Sequence, residues 1–213
     1  YIKAFNSMGS SIANTYLYSI TALALILVIG ILTSYSAVRR PSVLTAILDT
    51  TTMFPYIIPG SVLGIAMLLA FNHRPLLISG TALIIIVTYV VRRLPYTIRS
   101  SNAILRQISP SVEEASLSLG ASSPETFTKI TVPMMISGVL PGALMSWMSI
   151  ISELSASIML YVGGTKTMTI AIYTEVIRGN YGVASALSTI LIASTVIVLF
   201  LFFRITGRSE IDL

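Results

Sequence analysis

The chain has 213 residues, of which 54% are hydrophobic and only 10% charged, with a formal net charge of +5. Soluble domains average about 25% charged residues, so this composition excludes an ordinary water-soluble domain and indicates an integral membrane protein. The absence of cysteine excludes disulfides and thiolate metal sites, and a single histidine, His73, argues against a zinc or haem site.

Charge-free intervals locate the expected membrane spans at residues 4–38, 50–72, 75–91, 130–152 and 179–203. A bilayer core needs about 20 apolar residues of helix, within roughly 17–25, and each interval can supply one crossing. The first is longer than one crossing needs, so its span is expected between Ala13 and Tyr35, with Tyr1 to Ser11 at the interface. The second carries Phe54-Pro55-Tyr56, then Pro59-Gly60 and Gly64. Its two prolines remove backbone donors and bend or break a helix, which lipid tolerates only where neighbours or a cavity satisfy the freed carbonyls. Tyr56 and Pro59 are therefore candidates for a hinge beside a translocation path. A packing kink, with small residues admitting a neighbouring helix, is the plainer reading. The third interval ends in Arg92-Arg93-Leu94-Pro95, read as a stop signal with lipid-facing, snorkelling arginines and a proline that ends or kinks the helix.

Residues 109–133 form a polar island before the fourth span. Ser109-Pro110 and Ser123-Pro124 each place a capping hydroxyl before a proline, a pattern that starts helices. Glu113, Glu114 and Glu125 then fall in first turns, where carboxylates suit the positive end of the helix dipole. Gly120 stands where the first helix must stop, and glycine takes a left-handed conformation there. Two short helices joined at a glycine and presented to water make a docking knob.

The fourth span holds Pro141-Gly142, Trp147 and, in its outer half, Glu153, the only acid in residues 130–162. A charge at the bilayer centre costs about 2.5–3.5 kcal/mol on insertion scales, so Glu153 needs a partner or a wet cavity. It reads either as a pathway or gate residue, or as a structural carboxylate paired with a cation such as Arg178. Tyr56, Tyr161, Tyr173 and Trp147 read as belt or packing aromatics, and the scattered methionines as gap-fillers. Met168 to Ile177 is too short and polar to cross, and is expected to be a re-entrant or interfacial helix on the outer side.

Glu114-Ala115, Gly120 and Ile130-Thr131-Val132-Pro133 resemble the EAA signature of permease subunits in binding-protein-dependent ABC importers. That signature runs Glu-Ala-Ala-x3-Gly-x9-Ile-x-Leu-Pro, and this chain departs from it at Ser116 and Val132. The resemblance implies an all-α membrane protein of the type I ABC importer permease fold, with five spans and two short cytoplasmic coupling helices. Residues 1–213 would form a single permease domain, similar to the C-terminal half of a longer permease. The starting Tyr1, without an initiator methionine or signal-peptide pattern, agrees with that expectation. By the same resemblance, a pair of separate ATPases receives the knob, and a binding protein and a second permease half complete the assembly. Glu113, Glu114, Ala115, Gly120, Ile130 and Pro133 are then the coupling residues. Glu114 would meet a basic group in the ATPase cleft or cap its own helix, Ala115 would keep the knob slim, and Gly120 would make the turn. Tyr89 to Ser101 and Glu153 to Tyr161 look like ferric-iron permeases more than polyamine, thiamine, sulfate or phosphonate relatives.

With the signature inside, nine basic residues face the cytoplasm (Arg39, Arg40, Arg92, Arg93, Arg99, Arg106, Lys129, Arg204 and Arg208) and four face outside (Lys3, Arg74, Lys166 and Arg178). This obeys the positive-inside rule, with the N-terminus of this chain outside and its C-terminus inside. The positive charge then reflects that bias and attraction to anionic lipid, not a nucleic-acid surface. No Gly-x4-Gly-Lys-Ser/Thr loop occurs, so ATP is expected on the partner ATPase and no cofactor on this chain. A membrane-embedded enzyme would need paired catalytic groups: two aspartates at depth, a Ser-His pair, or a His-Glu-x-x-His zinc site. Asp49 and Asp212 lie outside the spans and His73 stands alone. A channel working alone would have no use for the knob.

Overall fold

The computed structural model of the chain describes residues 1–206, without the side chains of 205 and 206. Arg208 and Asp212, both expected on the inner side, lie outside the described residues. Those residues are helical, with no strand among them. The frame is made by α1 (Ile2–Arg39), α5 (Ala82–Gln107), α8 (Val132–Ile151) and α11 (Tyr181–Thr206).

Helix α1 runs for 38 residues, roughly 57 Å at 1.5 Å per residue. It exceeds the hydrocarbon thickness of about 30 Å and is kinked at Met8. Its buried stripe is mostly small, with Ser11, Thr15, Ser19, Ala22, Gly30 and Ser34. In lipid, where apolar side chains gain nothing by leaving their solvent, such a stripe lets helices approach closely. A Cβ at Gly30 would lie 2.8 Å from Thr97 Cγ2 of α5. Helix α5 in turn packs on α8, where a Cβ at Gly142 would meet the Ser100 hydroxyl and lie 2.8 Å from the Tyr96 carbonyl oxygen. The central core joins Tyr18, Ala22 and Ile26 of α1 to Ile84, Ile85 and Tyr89 of α5 and to Ile150 of α8.

The expected spans are met unevenly. Ile2–Arg39, Ser123–Ile151 and Tyr181–Arg204 are each long and apolar enough to cross a bilayer. Span two is broken: α2 (Val43–Thr51) and α3 (Phe54–Ile57) precede α4 (Gly60–Ala70), with a bend of 114° between the two sides. Pro59, extended at φ −53° and ψ 137°, stands at the break. Gly64 serves packing, since a Cβ there would lie 2.8 Å from the Ala156 carbonyl oxygen. Span three differs most, because helix begins only at Ala82 and then runs through Arg92, Arg93 and Pro95 to Gln107. Pro95 does not end α5, which continues to Gln107, and the Ser146 hydroxyl of α8 ties to this stretch by donating to the Arg93 carbonyl at 3.2 Å.

Beyond α8 the chain turns through α9 (Ser157–Leu160) and a 3-10 turn (Gly163–Thr165) into α10 (Met168–Ile177). Asn14 holds this turn by donating to the carbonyls of Gly164 and Lys166, and Thr15 accepts from Met168 N at 2.7 Å. Helix α10 packs Met168 and Ala171 against Ala4 of α1 and Val183, Ala186 and Leu187 of α11.

Close backbone approach at α5–α8 gives a direct test. Gly142→Ala presses a methyl group onto backbone atoms that cannot move aside, so it should lower the thermal midpoint of the purified protein by an overpacking penalty of about 1–3 kcal/mol. Gly9→Ala, with nothing within 4 Å of the new Cβ, should leave the midpoint unchanged or slightly higher. Equal behaviour of the two variants would contradict the packing described.

Candidate functional site

The knob begins with α6 (Pro110–Ser118), capped by Ser109, whose Oγ accepts from Ser111 N at 3.4 Å. It ends in a two-bond closure: Gly120 N donates to Leu117 O at 3.0 Å and Ala121 N to Ser116 O at 3.2 Å. That pattern needs a left-handed residue at its centre, and Gly120 has φ +92°. Nothing lies within 4 Å of a Cβ placed there, so backbone conformation, not space, requires the glycine.

The second helix of the knob departs from expectation twice. Its cap is Ser122, not Ser123: Ser122 Oγ accepts from Glu125 N, and the Glu125 carboxylate accepts from Ser122 N. It is also not a separate short helix. Helix α7 (Ser123–Thr126) passes through a π turn (Phe127–Thr131) directly into α8. Lys129 pairs with Glu125 at 2.9 Å, and this contact, followed by those from Ser122, holds the Glu125 carboxyl below its usual pKa. Ser116 and Thr126 share a buried hydrogen bond of 2.9 Å that pins α6 to α7. The serine that departs from the EAA pattern is thus a fastening.

The coupling candidates divide into an inner and an outer set. Glu113 faces inward, accepting from Arg39 Nε at 2.9 Å and from the Tyr35 hydroxyl at 3.1 Å. Arg39 also donates to the Ile108 carbonyl at 2.9 Å, and Tyr35 packs edge-on against Phe127 with ring centres 4.8 Å apart. The base of the knob is therefore bolted to the end of α1. Glu114, Ala115 and Gly120 are exposed, as are Leu117 and Leu119, the latter 90% exposed. Glu114 makes no ion pair with another described residue and does not cap α6. Ile130 is half-buried in the π turn, and Pro133 is exposed in the first turn of α8.

Glu153 lies just past the end of α8, with its side chain 4% exposed. Its Oε2 accepts from Arg92 Nη1 at 2.7 Å and from Arg93 Nη2 at 2.6 Å, and its Oε1 accepts from Ala156 N at 3.0 Å. The structural alternative gains a different cation from the one expected, because Arg178 pairs with Glu175 instead. Arg92 and Arg93 are not lipid-facing anchors. They point into the bundle toward Glu153, and Gly60 makes room for Arg92, whose guanidinium fills the place of its missing Cβ. Two adjacent arginines and one distant acid in apolar sequence were the available signal for this cluster.

Tyr56 packs edge-on against Tyr96, ring centres 5.4 Å apart, in a cleft of about 390 Å³ lined also by Pro95, Arg99, Ser100 and Met145. Pro59 and Glu153 do not line it. Sequence reasoning also missed a polar chain at the same level. Ser34 donates to Asn102 at 2.6 Å, while Asn102 and Arg99 both reach Asp49, at 3.4 Å each. Among the described residues no cluster of His, Cys, Asp and Glu could hold a metal ion.

The buried cluster predicts a stability effect. Glu153→Gln leaves two desolvated guanidiniums without a counter-charge, and breaking a buried pair costs about 3–5 kcal/mol. The variant should unfold at clearly lower temperature, whereas Lys129→Gln, at the exposed Glu125 pair, should change stability by less than about 1 kcal/mol. An unshifted midpoint for Glu153→Gln would rule out a structural charge cluster.

Comparison with known proteins follows the same lines. Residues 26–209 match the family described as binding-protein-dependent transport system inner membrane component. The ferric transport system permease protein FbpB of Actinobacillus pleuropneumoniae is 35% identical over 201 residues, 94% of this chain and 29% of its own length. A relative from Salmonella typhimurium, named for 2-aminoethylphosphonate transport, is 30% identical over 154 residues, 72% of this chain and 58% of its own. The chain thus spans under a third of the first relative and under two thirds of the second. A chain of the MetNI methionine ABC transporter, solved in inward-facing conformations, superimposes with a TM-score of 0.70 at 20% identity. The match covers 95% of this chain and 94% of that one. At that identity the likeness shows the fold, that of a type I ABC importer permease.

Proposed function

Because the chain belongs to the family of binding-protein-dependent transport system inner membrane components, we propose that it is one permease half of an ATP-driven importer for ferric iron. In this reading residues 1–213 resemble the C-terminal half of a longer permease, and a second half completes the pathway. A separate ATPase pair bears on the knob from the cytoplasm. A binding protein delivers iron on the far side, where α1 begins and α10 turns into α11. The N-terminus of this chain is then outside and the end of α11 inside, consistent with the bias of basic residues toward the knob side.

The knob carries this reading. Its outer surface offers Glu114, Ala115, Leu117 and Leu119 to a partner, while Glu113 ties its base to α1. A loop that only joined two helices would need neither the reciprocal cap nor the bolt. The ATPase supplies hydrolysis, and this chain supplies the moving path. Ferric iron is favoured over phosphonate because the iron relative is more alike over more of this chain, 35% over 94% against 30% over 72%.

Gly120→Val tests the reading in the assembled transporter. A β-branched residue at positive φ is strongly disfavoured, so the knob should lose its shape while α1, α5 and α8 remain inserted. The ATPase should no longer co-purify, and cellular iron uptake should fall to background. Normal ATPase retention with normal uptake would defeat docking at the knob. Uptake of phosphonate in place of iron by the wild type would overturn the cargo alone.

A further inference from the structure

The bundle carries an imbalance of charge beside the break in span two. Arg92 and Arg93, each 14% exposed, both bind one oxygen of Glu153, whose other oxygen is taken by Ala156 N. Two guanidiniums against one carboxylate leave a net positive charge. Arg92 Nε is buried and donates to nothing. The other described acids cannot neutralise the excess. Asp49 faces Arg99, Glu113 faces Arg39, Glu175 faces Arg178, and Glu114 and Glu125 lie on the knob. Uncompensated charge at depth is unfavourable enough that it marks a partner or a pathway.

The backbone adds to the same excess. Helix α4 starts at Gly60 with no side-chain cap, and the Arg92 guanidinium lies against that glycine. A helix start carries partial positive charge, and half-helix N-termini inside membranes point at anionic groups of cargo. The cleft of about 390 Å³ beside Tyr56 is lined by Pro95 and Tyr96, which follow Arg93 closely on α5.

From this charge excess and the orphaned donor we propose that Arg92, Arg93 and the first turn of α4 hold an oxyanion of the phosphate, phosphonate or carboxylate class. A guanidinium offers a planar fork that matches such oxygens. The site deepens the importer reading, on which its role in transport rests. The oxyanion arrives either bound to the iron, lowering the charge that must pass the arginines, or free from solution.

The assembled transporter in lipid nanodiscs tests the site without transport. Inorganic phosphate should raise the unfolding temperature of the wild type above that seen with chloride at equal ionic strength. Glu153→Gln removes the competing carboxylate, so radiolabelled phosphate should bind it roughly tenfold more tightly, the sign expected for losing a nearby negative charge. Arg92→Gln should lose phosphate protection, while Arg92→Lys, which keeps the charge, should retain it and so separate loss of the site from loss of the fold. Arg178→Gln, away from the cluster, should behave as wild type. Equal protection by chloride, or weaker phosphate binding per folded molecule of Glu153→Gln measured below its unfolding temperature, would overturn the proposal. Uptake into proteoliposomes with iron and phosphate both labelled then separates the sources. Phosphate entering in proportion to iron marks the cargo as carrier, and iron entering alone marks solution phosphate as the ligand. Absence of iron uptake by the wild type would count against the importer reading and leave the binding result standing on its own.

Discussion

In hydrocarbon no water is available to satisfy a stray charge, so a charged side chain must find its partner inside the chain. That constraint fixes the frame of this molecule. Glu153 meets Arg92 and Arg93 in the middle of α5, and Glu113 meets Arg39 at the end of α1. The first cluster holds the corner after α8 against α5 and seats the start of α4. The second holds the knob against the longest helix. Between them the bundle is fastened by close approach of small residues to α5, from Gly30 of α1 and from Gly138 and Gly142 of α8.

These two fastenings lie at opposite ends of one lever. From Ser123 to Ile151 the chain is continuous helix, including the π turn at Phe127–Thr131. One end carries the reciprocal cap and the Gly120 turn, and the other delivers Glu153 to the arginines. A push on the knob therefore cannot be absorbed by a flexible linker. It must move α8 as a body, together with the corner that abuts the break at Pro59. In the proposed importer this lever is the route from ATPase closure to the pathway, and the π turn, a feature that recurs at functional sites, is where the lever joins the knob.

The sequence was legible where its signals are local. Caps, the terminating glycine and the EAA spacing each depend on residues a few positions apart, and the Gly120 turn stands where they place it. The expected second short helix was misread because Ser122 rather than Ser123 is the cap, and because nothing after Thr126 stops the chain from continuing as helix. Long-range pairing was less legible. Arg92 and Arg93 looked like the stop signal of a third span, since charge at the end of an apolar run ordinarily marks the interface. Their partner is about sixty residues away, and only the fold shows that α5 continues past Pro95 and brings them to Glu153. Span two was legible as bent or broken, but not the 114° angle of the break, because the direction of a proline break is set by what packs on each side.

The central claim is that the knob transmits force because Glu113 bolts it to Arg39. The most direct measurement is ATP hydrolysis by the reconstituted transporter, stimulated by iron-loaded binding protein, in charge-reversed variants. Glu113→Arg and Arg39→Glu should each place like charges together and lose the stimulation while basal hydrolysis remains. The double exchange restores opposite charges at the same contact and should recover much of it. Full stimulation in both single variants, or a double variant no better than either, would contradict the account.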